Sequence, residues 1–179
     1  IRGVAIDSTG QLKAGMGTEI ADVDFDGDPD ILVVNMEGQS DTLFINDGSG
    51  YFDDGTGQSG LLEASRTSTR FGVLREDFDN DSTFDLYTVS GRISRPMRPV
   101  KGDPYIEQNN LFSGNSQNLL TQILPRGGTK NPPFHTSRGA ASGDIDGDGK
   151  LDIVVVNRDA QAYLLHNITP TSNYIELDI

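Results

Sequence analysis

The sequence contains no cysteine and no tryptophan among its 179 residues. The absence of cysteine excludes disulfide bridges and thiolate zinc sites, although it leaves the cellular compartment open. Basic residues are few as well, because 14 lysines and arginines stand against 27 acids and give a formal net charge of −13. A nucleic acid is itself a polyanion, so it is excluded as a partner for such a surface.

Long apolar runs are also missing, since the longest have four residues, as at Ile153–Val156. A membrane-spanning helix needs about 20 mostly apolar residues, so we expect no membrane span. No signal peptide is visible, because the chain begins at Ile1 without a Met and a basic segment. We therefore expect a fragment or a processed form of a longer protein.

The sequence does contain an Asp-rich segment that recurs three times, with aspartate at its first, third, fifth and ninth positions. Loop 1 is DVDFDGDPD at Asp22–Asp30, loop 2 is DFDNDSTFD at Asp77–Asp85 and loop 3 is DIDGDGKLD at Asp144–Asp152. Hard carboxylate oxygens on a tight loop suit Ca²⁺ better than any softer metal. Three bound Ca²⁺ would also change the net charge from −13 to −7. The sequence therefore predicts three calcium sites.

Each loop can direct the side chains of positions 1, 3, 5 and 9 and the backbone carbonyl of position 7 at an ion. Since Ca²⁺ takes about 6–8 oxygens, a bidentate carboxylate or a water must complete each shell. The predicted ligands are Asp22, Asp24, Asp26, Asp30 and the Asp28 carbonyl in loop 1; Asp77, Asp79, Asp81, Asp85 and the Thr83 carbonyl in loop 2; and Asp144, Asp146, Asp148, Asp152 and the Lys150 carbonyl in loop 3.

The sharp turn at position 6 favours glycine, which is present as Gly27 and Gly149 but is replaced by Ser82 in loop 2. We therefore expect loop 2 to hold the weakest site. An EF-hand is excluded, because all three loops lack a glutamate at position 12. The remaining alternative, solvated turns without metal, is disfavoured by the shared ligand register. The ions are expected to be structural, so that their binding energy contributes to folding.

The loops also set the register of a longer repeat. A glycine stands five residues before each loop, at Gly17, Gly72 and Gly139, and a short apolar run rich in β-branched residues follows each loop. Two further apolar segments complete each repeat, and such short runs favour strands over helices. Each repeat is therefore predicted to be four antiparallel strands, with the Asp loop as the hairpin between the first two. The small residues before each loop fit the innermost strand.

Neighbouring loops start 55 residues apart between Asp22 and Asp77, and 67 apart between Asp77 and Asp144. Tandem four-stranded units of this size are typical of propeller blades. We predict an all-β chain, a β-propeller segment of three four-stranded antiparallel blades. Its expected parts are a remnant of a preceding blade (1–14), a blade with loop 1 (15–64), a blade with loop 2 and an Arg/Pro-rich insertion (65–127), and a blade with loop 3 and the start of a following segment (128–179). The open blade edges suggest contact with further blades or a second copy.

Several of these motifs together resemble a known family. The residues Q-L-K-A-G-M-G, D-V-D-F-D-G-D-P-D-I-L-V-V-N and T-L-F-I-N-D-G-S-G-Y-F-D-D within Gln11–Leu61 resemble VCBS/FG-GAP repeats of the ASPIC/UnbV (cartilage acidic protein-like) family. The segment Arg138–Asn157 resembles that family's final blade, and Asn173–Ile179 the opening of the domain that follows it. The resemblance implies a secreted or surface Ca²⁺-binding propeller, similar in blade type to the integrin α-subunit head.

One insertion departs from the repeat pattern. The segment Gly91–Glu107 lengthens the second repeat and carries four of the 14 basic residues, Arg92, Arg95, Arg98 and Lys101. A long loop on a rigid scaffold often serves recognition, so these residues form a candidate ligand loop for an acidic glycan or a partner's carboxylate. Alternatively, the arginines pair with nearby aspartates or pack against a missing blade.

The chemistry-bearing residues argue against catalysis. His135 and His166 lie in different parts of one repeat without a nucleophile motif, and carboxylates that hold calcium are poor proton donors. The predicted function is a calcium-binding β-propeller module for extracellular protein or glycan interaction, located outside the cell, at its surface or in a periplasm, where Ca²⁺ is plentiful. The alternative is part of a secreted carbohydrate-active enzyme, a lyase or hydrolase, which the absence of Trp disfavours.

Overall fold

The computed structural model of the chain describes residues 2–94 and 102–170. Within these residues the chain is all-β, with three antiparallel sheets and one short α-helix. Each sheet is an up-and-down meander in which neighbours in sequence are neighbours in space. The sheets form a propeller-like segment and do not close into a barrel, which confirms the predicted fold class.

The three sheets correspond to the three predicted blades. Blade 1 contains β1 (Gly15–Ala21), β2 (Asp30–Asn35), β3 (Thr42–Asn46) and β4 (Phe52–Asp54). Blade 2 contains β5 (Arg70–Glu76), β6 (Asp85–Ser90), β7 (Asn110–Ser113) and β8 (Thr121–Gln122). Blade 3 contains β9 (Ser137–Gly143), β10 (Asp152–Asn157) and β11 (Tyr163–Leu165). The fourth strand predicted for blade 3, around Tyr174–Leu177, lies outside the described residues.

The Asp loops close the first hairpin of each blade in one common register. The residue before each loop pairs with the loop's ninth position, as in Ala21 with Asp30, Glu76 with Asp85 and Gly143 with Asp152. The strands that follow alternate in burial because successive side chains point to opposite faces of a sheet. In β10, Ile153 and Val155 are buried against blade 2, whereas Val156 is exposed. The loops are therefore held at equivalent points of three similar scaffolds.

The first strands of the blades, β1, β5 and β9, lie side by side and are the innermost strands of the segment. Glycine is required there because the backbones nearly touch. A Cβ on Gly17 would lie 1.9 Å from the carbonyl oxygen of Phe71, and one on Gly72 would lie 2.9 Å from the amide nitrogen of Ala140. These contacts explain the small residues that precede each loop in the sequence.

The core consists of two apolar clusters, one between each pair of neighbouring blades. The cluster between blades 1 and 2 includes Leu61, which is fully buried and belongs to the short helix α1 (Leu61–Ala64). The sequence pattern does not predict this helix, because four residues are too few to show a helical period. Leu61 fills the space between two blades where the chain crosses from one to the next.

Candidate metal centres

The three Asp loops share one backbone conformation, in which positions 4 and 6 both have a positive φ. The angles are 61°, 54° and 75° at position 4 (Phe25, Asn80 and Gly147) and 98°, 71° and 81° at position 6 (Gly27, Ser82 and Gly149). The positive φ at position 6 is expected from the sequence. The positive φ at position 4 is not, because that position holds a different residue type in each loop. Ser82 holds a conformation that costs a residue with a Cβ about 1–2 kcal/mol.

The aspartate at position 1 shapes each loop by accepting backbone hydrogen bonds. In loop 1, the carboxylate of Asp22 accepts from the N–H groups of Asp26 at 3.2 Å and Gly27 at 2.9 Å. Asp77 accepts from positions 5 and 6 of loop 2 at 3.0 and 2.9 Å, and Asp144 accepts from the same positions of loop 3 at 3.2 and 2.8 Å. The carboxylate of position 1 therefore stabilises the turn of each loop by binding the backbone of positions 5 and 6.

The aspartate at position 9 ties each hairpin to the end of the blade's third strand. Asp30, Asp85 and Asp152 are 1%, 4% and 1% exposed. One oxygen of each accepts the N–H of position 2, at 2.7, 3.1 and 3.3 Å respectively. The other oxygen accepts an N–H from the end of the third strand or just beyond it. The donors are the equivalent residues Asn46 in blade 1 (2.8 Å), Gly114 in blade 2 (3.0 Å) and Asn167 in blade 3 (2.8 Å). These buried carboxylates hold the hairpins in place.

The structure brings several predicted ligands together. In loops 1 and 2, carboxylate oxygens of positions 1, 3 and 9 lie within 4.8 Å of one another, and in loop 3 those of positions 1, 3 and 5 do so. The groups are Asp22, Asp24 and Asp30; Asp77, Asp79 and Asp85; and Asp144, Asp146 and Asp148. Asp26 and Asp81 at position 5 do not join these groups within the described residues.

The position-5 carboxylates instead accept hydrogen bonds from position 7. Asp26 accepts the N–H of Asp28 at 2.9 Å, and Asp81 accepts the N–H of Thr83 at 2.7 Å. In loop 3, the Nζ of Lys150 lies 3.3 Å from an oxygen of Asp148. The role of the three position-7 carbonyls as ligands stays a prediction.

Burial, together with the charges of neighbouring carboxylates, raises the pKa of loop carboxyls. Burial, followed by the charges of Asp26 and Asp30, raises the pKa of Asp24 above its ordinary value. Burial and the neighbouring carboxylates of loop 2 raise the pKa of Asp79 in the same way. The pKa of Asp85 rises to about 6, chiefly through burial, with the charge of Asp79 adding to it. A cation among these groups would lower each pKa because it favours the ionised form.

The donor set fits Ca²⁺. Loop 2 contains a buried oxygen, the Oδ1 of Asp79, that has no hydrogen-bond partner. Buried polar atoms are nearly always paired, and an orphaned carboxylate oxygen is costly unless it meets a donor or a cation. Its neighbours Asp77 and Asp85 supply carboxylate oxygens only, which is the donor type that Ca²⁺ prefers.

A histidine that sequence reasoning left aside lies beside loop 3. The Nδ1 of His166 is 3.3 Å from Oδ1 of Asp152 and 3.6 Å from Oδ2 of Asp146. Strand pairing aligns Leu165 with Phe44 and Phe112, so His166 occupies the position of Ile45 in blade 1 and Ser113 in blade 2. Aligning the repeats through their third strands would have revealed this placement.

Neighbouring loops are also in direct contact. The ring of Phe25 in loop 1 stacks on Phe84 in loop 2, with centroids 5.8 Å apart. The side-chain amide of Asn80 in loop 2 donates to the carbonyl of Gly149 in loop 3 at 3.1 Å. Both Phe25 and Asn80 stand at position 4, so the positive φ there directs a side chain towards the next loop. The three candidate sites therefore form a connected row.

The candidate ligand loop is only partly within the described residues. Arg92 lies 3.1 Å from a carboxylate oxygen of Glu107 and 3.3 Å from one of Glu37. Its guanidinium group therefore takes part in two ion pairs within the protein. Arg95, Arg98 and Lys101 lie outside the described residues, so a ligand role for this loop stays a prediction.

The described residues contain no helix with the length and apolar character needed to cross a bilayer. Helix α1 has only four residues.

Two similarities to known proteins bear on the loops. Residues 9–88, a span that contains loops 1 and 2, match the sequence model of the family described as FG-GAP-like repeat. The chain is also 25% identical over 159 residues to cartilage acidic protein 1 of Xenopus tropicalis, a match that covers 83% of this chain and 21% of that protein. The chain thus spans about a fifth of the length of the curated relative that it matches. Over residues 9–88 the chain is therefore similar to FG-GAP-like repeats.

Proposed function

We propose that the chain is a calcium-binding, propeller-type module that acts outside the cell, at its surface or in a periplasm, in protein or glycan interaction. It has no catalytic activity of its own, and Ca²⁺ at the Asp loops stabilises its blades. The fold and the FG-GAP-like repeat support the module, while the geometry of the loops supports the metal.

The observation that carries the calcium proposal is the convergence of carboxylates around an orphaned oxygen in loop 2. Asp77, Asp79 and Asp85 place oxygens within 4.8 Å of one another, and the Oδ1 of Asp79 is buried without a partner. Like charges so arranged repel one another and destabilise the hairpin. A bound Ca²⁺ replaces this repulsion with attraction, since it attracts all three carboxylates and coordinates the unpartnered oxygen.

A structural role for the ion follows from what the loop carboxylates already do. Asp22 shapes loop 1 through two backbone hydrogen bonds, and Asp30 joins the hairpin to the third strand. Any ion held by these side chains therefore stabilises the hairpin and the strand order of the blade together. Since such a site does not exist in the unfolded chain, its binding energy adds to the free energy of folding.

An extracellular location suits oxygen-only calcium sites, because Ca²⁺ is plentiful there and extracellular modules bind it with dissociation constants of about 10⁻⁴–10⁻³ M. The acidic charge of −13 agrees with calcium loading in such a compartment. The similarity to a protein named for cartilage supports the same location.

A non-enzymatic role is supported by the way the candidate acid–base groups are engaged. His135 packs at 5.9 Å from the ring of Tyr163, whereas His166 faces the carboxylates of loop 3. Asp85 has the raised pKa of a general acid, yet both its oxygens accept backbone hydrogen bonds. Interaction through the scaffold therefore explains these residues better than catalysis does.

Thermal unfolding with and without Ca²⁺ tests the calcium proposal. We expect Ca²⁺ to raise the melting temperature of the chelator-treated protein, and Mg²⁺ to do so much less, because Mg²⁺ demands a stricter octahedral geometry. Asp79→Asn should remove the share of the Ca²⁺-dependent stabilisation that loop 2 contributes, which is at most about a third because loop 2 is expected to hold the weakest of three sites. The matched control is Asp53→Asn, which removes the same charge from an exposed position of β4. An equal melting temperature with and without Ca²⁺ contradicts the proposal.

A further inference from the structure

The carboxylates of loop 3 are grouped differently from those of loops 1 and 2. In loops 1 and 2, the aspartates of positions 3 and 9 converge with position 1. In loop 3, positions 3 and 9 converge instead with a histidine, so that Asp146, Asp152 and His166 place potential ligand atoms within 4.8 Å of one another. We propose that Asp146, Asp152 and His166 form a binding site for a divalent transition-metal ion of the Zn²⁺ class.

The nitrogen of His166 determines the kind of ion. Calcium is bound by hard oxygen ligands, whereas imidazole nitrogen suits zinc and other late first-row metals. Zinc sites that are open to solvent commonly use three protein ligands drawn from histidine and carboxylates, with water in the fourth position. Asp146, Asp152 and His166 supply three ligands of these two types, one imidazole and two carboxylates.

The distances between these side chains have the scale of a zinc site. With zinc–ligand bonds of about 2.0–2.1 Å, neighbouring ligand atoms of a tetrahedral site lie about 3.3–3.4 Å apart. The Nδ1 of His166 is 3.3 Å from Oδ1 of Asp152 and 3.6 Å from Oδ2 of Asp146. Small shifts of side chains would therefore bring all three groups onto one ion.

The surrounding residues hold the two aspartates in position. Asp152 is fixed by the N–H groups of Asn167 at 2.8 Å and Ile145 at 3.3 Å. Oδ1 of Asp146 accepts the N–H of Asp148 at 3.3 Å, so its other oxygen faces the histidine. Hydrogen bonds of this kind orient metal ligands and raise their affinity.

The site is accessible on one side only. The side chains of His166 and Asp146 are 50% and 49% exposed, whereas that of Asp152 is 2% exposed. An ion and its waters can enter from solvent and meet a rigid carboxylate at the base. The other two blades do not offer this chemistry, because Ile45 and Ser113 stand where blade 3 has His166.

The proposal involves the same loop as one of the calcium sites but does not require Ca²⁺ to bind. Since Asp146 belongs to both groups in loop 3, Zn²⁺ and Ca²⁺ compete there, while loops 1 and 2 remain oxygen-only. Metal binding is therefore measured with Zn²⁺ and Co²⁺ alone in calcium-free buffer. Calcium stabilisation is measured separately on the same variants.

The experiment compares the wild type with His166→Ser and His135→Ser. Zn²⁺ affinity is obtained by competition with a chromophoric chelator, and Co²⁺ absorption reports the coordination. Serine is the residue at the equivalent position 113, so His166→Ser is expected to fold. His135→Ser is the matched control, because it removes the chain's other imidazole and leaves Asp146 and Asp152 untouched.

We expect one Zn²⁺ site per chain, weakened about 10-fold or more by His166→Ser and unchanged by His135→Ser. In the wild type, Zn²⁺ should shift the imidazole NMR signals of His166 and not those of His135, a readout that requires no variant to fold. Equal Zn²⁺ affinity in the wild type and His166→Ser, or an equal loss in both variants, overturns the proposal. If Zn²⁺ binding depends on His166 while Ca²⁺ leaves the melting temperature unchanged, the zinc proposal holds and only the proposal of calcium stabilisation is refuted.

Discussion

The side-chain amide of Asn80 donates a hydrogen bond to the backbone carbonyl of Gly149, at 3.1 Å, and thereby joins loop 2 of blade 2 to loop 3 of blade 3. Asn80 also has a φ of 54°, a left-handed conformation that asparagine adopts more readily than most residues. One residue thus serves both the local turn and the contact between blades.

Substitution of Asn80 should separate these two roles. Asn80→Gly removes the hydrogen bond but keeps the turn, as glycine does at the equivalent Gly147, and should cost about 0.5–1.5 kcal/mol of unfolding free energy. Asn80→Ala loses the hydrogen bond and also strains the turn, which adds about 1–2 kcal/mol. Denaturant unfolding measures both values. Equal stability of the two variants contradicts the role assigned to the backbone conformation.

Ser82→Gly should stabilise loop 2. Ser82 has a φ of 71°, where loops 1 and 3 have glycine, and the N–H that it donates to Asp77 at 2.9 Å is kept in the variant. Relief of strain exceeds the greater flexibility of glycine in the unfolded chain, so we expect a gain of up to about 1 kcal/mol. Ser82→Ala keeps the strain and is the control. A loss of stability in Ser82→Gly but not in Ser82→Ala would refute this account.

Gly17→Ala should disrupt the packing of blades 1 and 2. A Cβ on Gly17 would lie 1.9 Å from the Phe71 carbonyl oxygen, a backbone atom that cannot move without shifting β5. We expect a loss of about 3 kcal/mol of unfolding free energy in denaturant unfolding, the upper end of the usual cost of overpacking. Gly57→Ala is the control, since a Cβ there meets nothing within 4 Å. Comparable stability of the two variants would show that the inner strands are farther apart than described.

The contribution of Asp85 to the stability of the metal-free protein should fall as pH rises from about 4 to about 6. The pKa of Asp85 is raised from 3.8 to about 6, so the folded state holds a proton that the unfolded state has already released. The contribution of Asp85 to stability therefore decreases as pH rises through this window. Above the window Asp85 is ionised in both states and adds little further pH dependence. Asp85→Asn should reduce the slope, and bound Ca²⁺ should reverse it. Melting curves across the window, with chelator and with Ca²⁺, measure both effects.

Much of the blade architecture could be predicted from the sequence because the Asp loops mark one fixed point in each repeat. Counting from that point locates the first two strands of every blade, since the hairpin sets their register, and the apolar segment that follows indicates the third. Gly17, Gly72 and Gly139 likewise predict the crowded inner strands. These features are local, so their spacing along the chain is enough to reveal them.

The features that were not predicted depend on contacts between distant parts of the chain. His166 reaches Asp146 only because β11 pairs with β10, and Asn80 reaches Gly149 only because blades 2 and 3 pack together. Helix α1 is too short to produce a periodic pattern, and Leu61 becomes a core residue only when two blades enclose it. No local motif carries this information, and only an alignment of the third strands of the repeats would have placed His166 beside loop 3.

The most direct test of the central claim is a count of bound ions by native mass spectrometry, with the zinc-free protein in excess Ca²⁺. The account predicts a main species with three Ca²⁺ per chain, a species with two for Asp79→Asn, and three again for Asp53→Asn. Wild-type protein that carries no specifically bound Ca²⁺ under these conditions would contradict the claim that the Asp loops are metal sites.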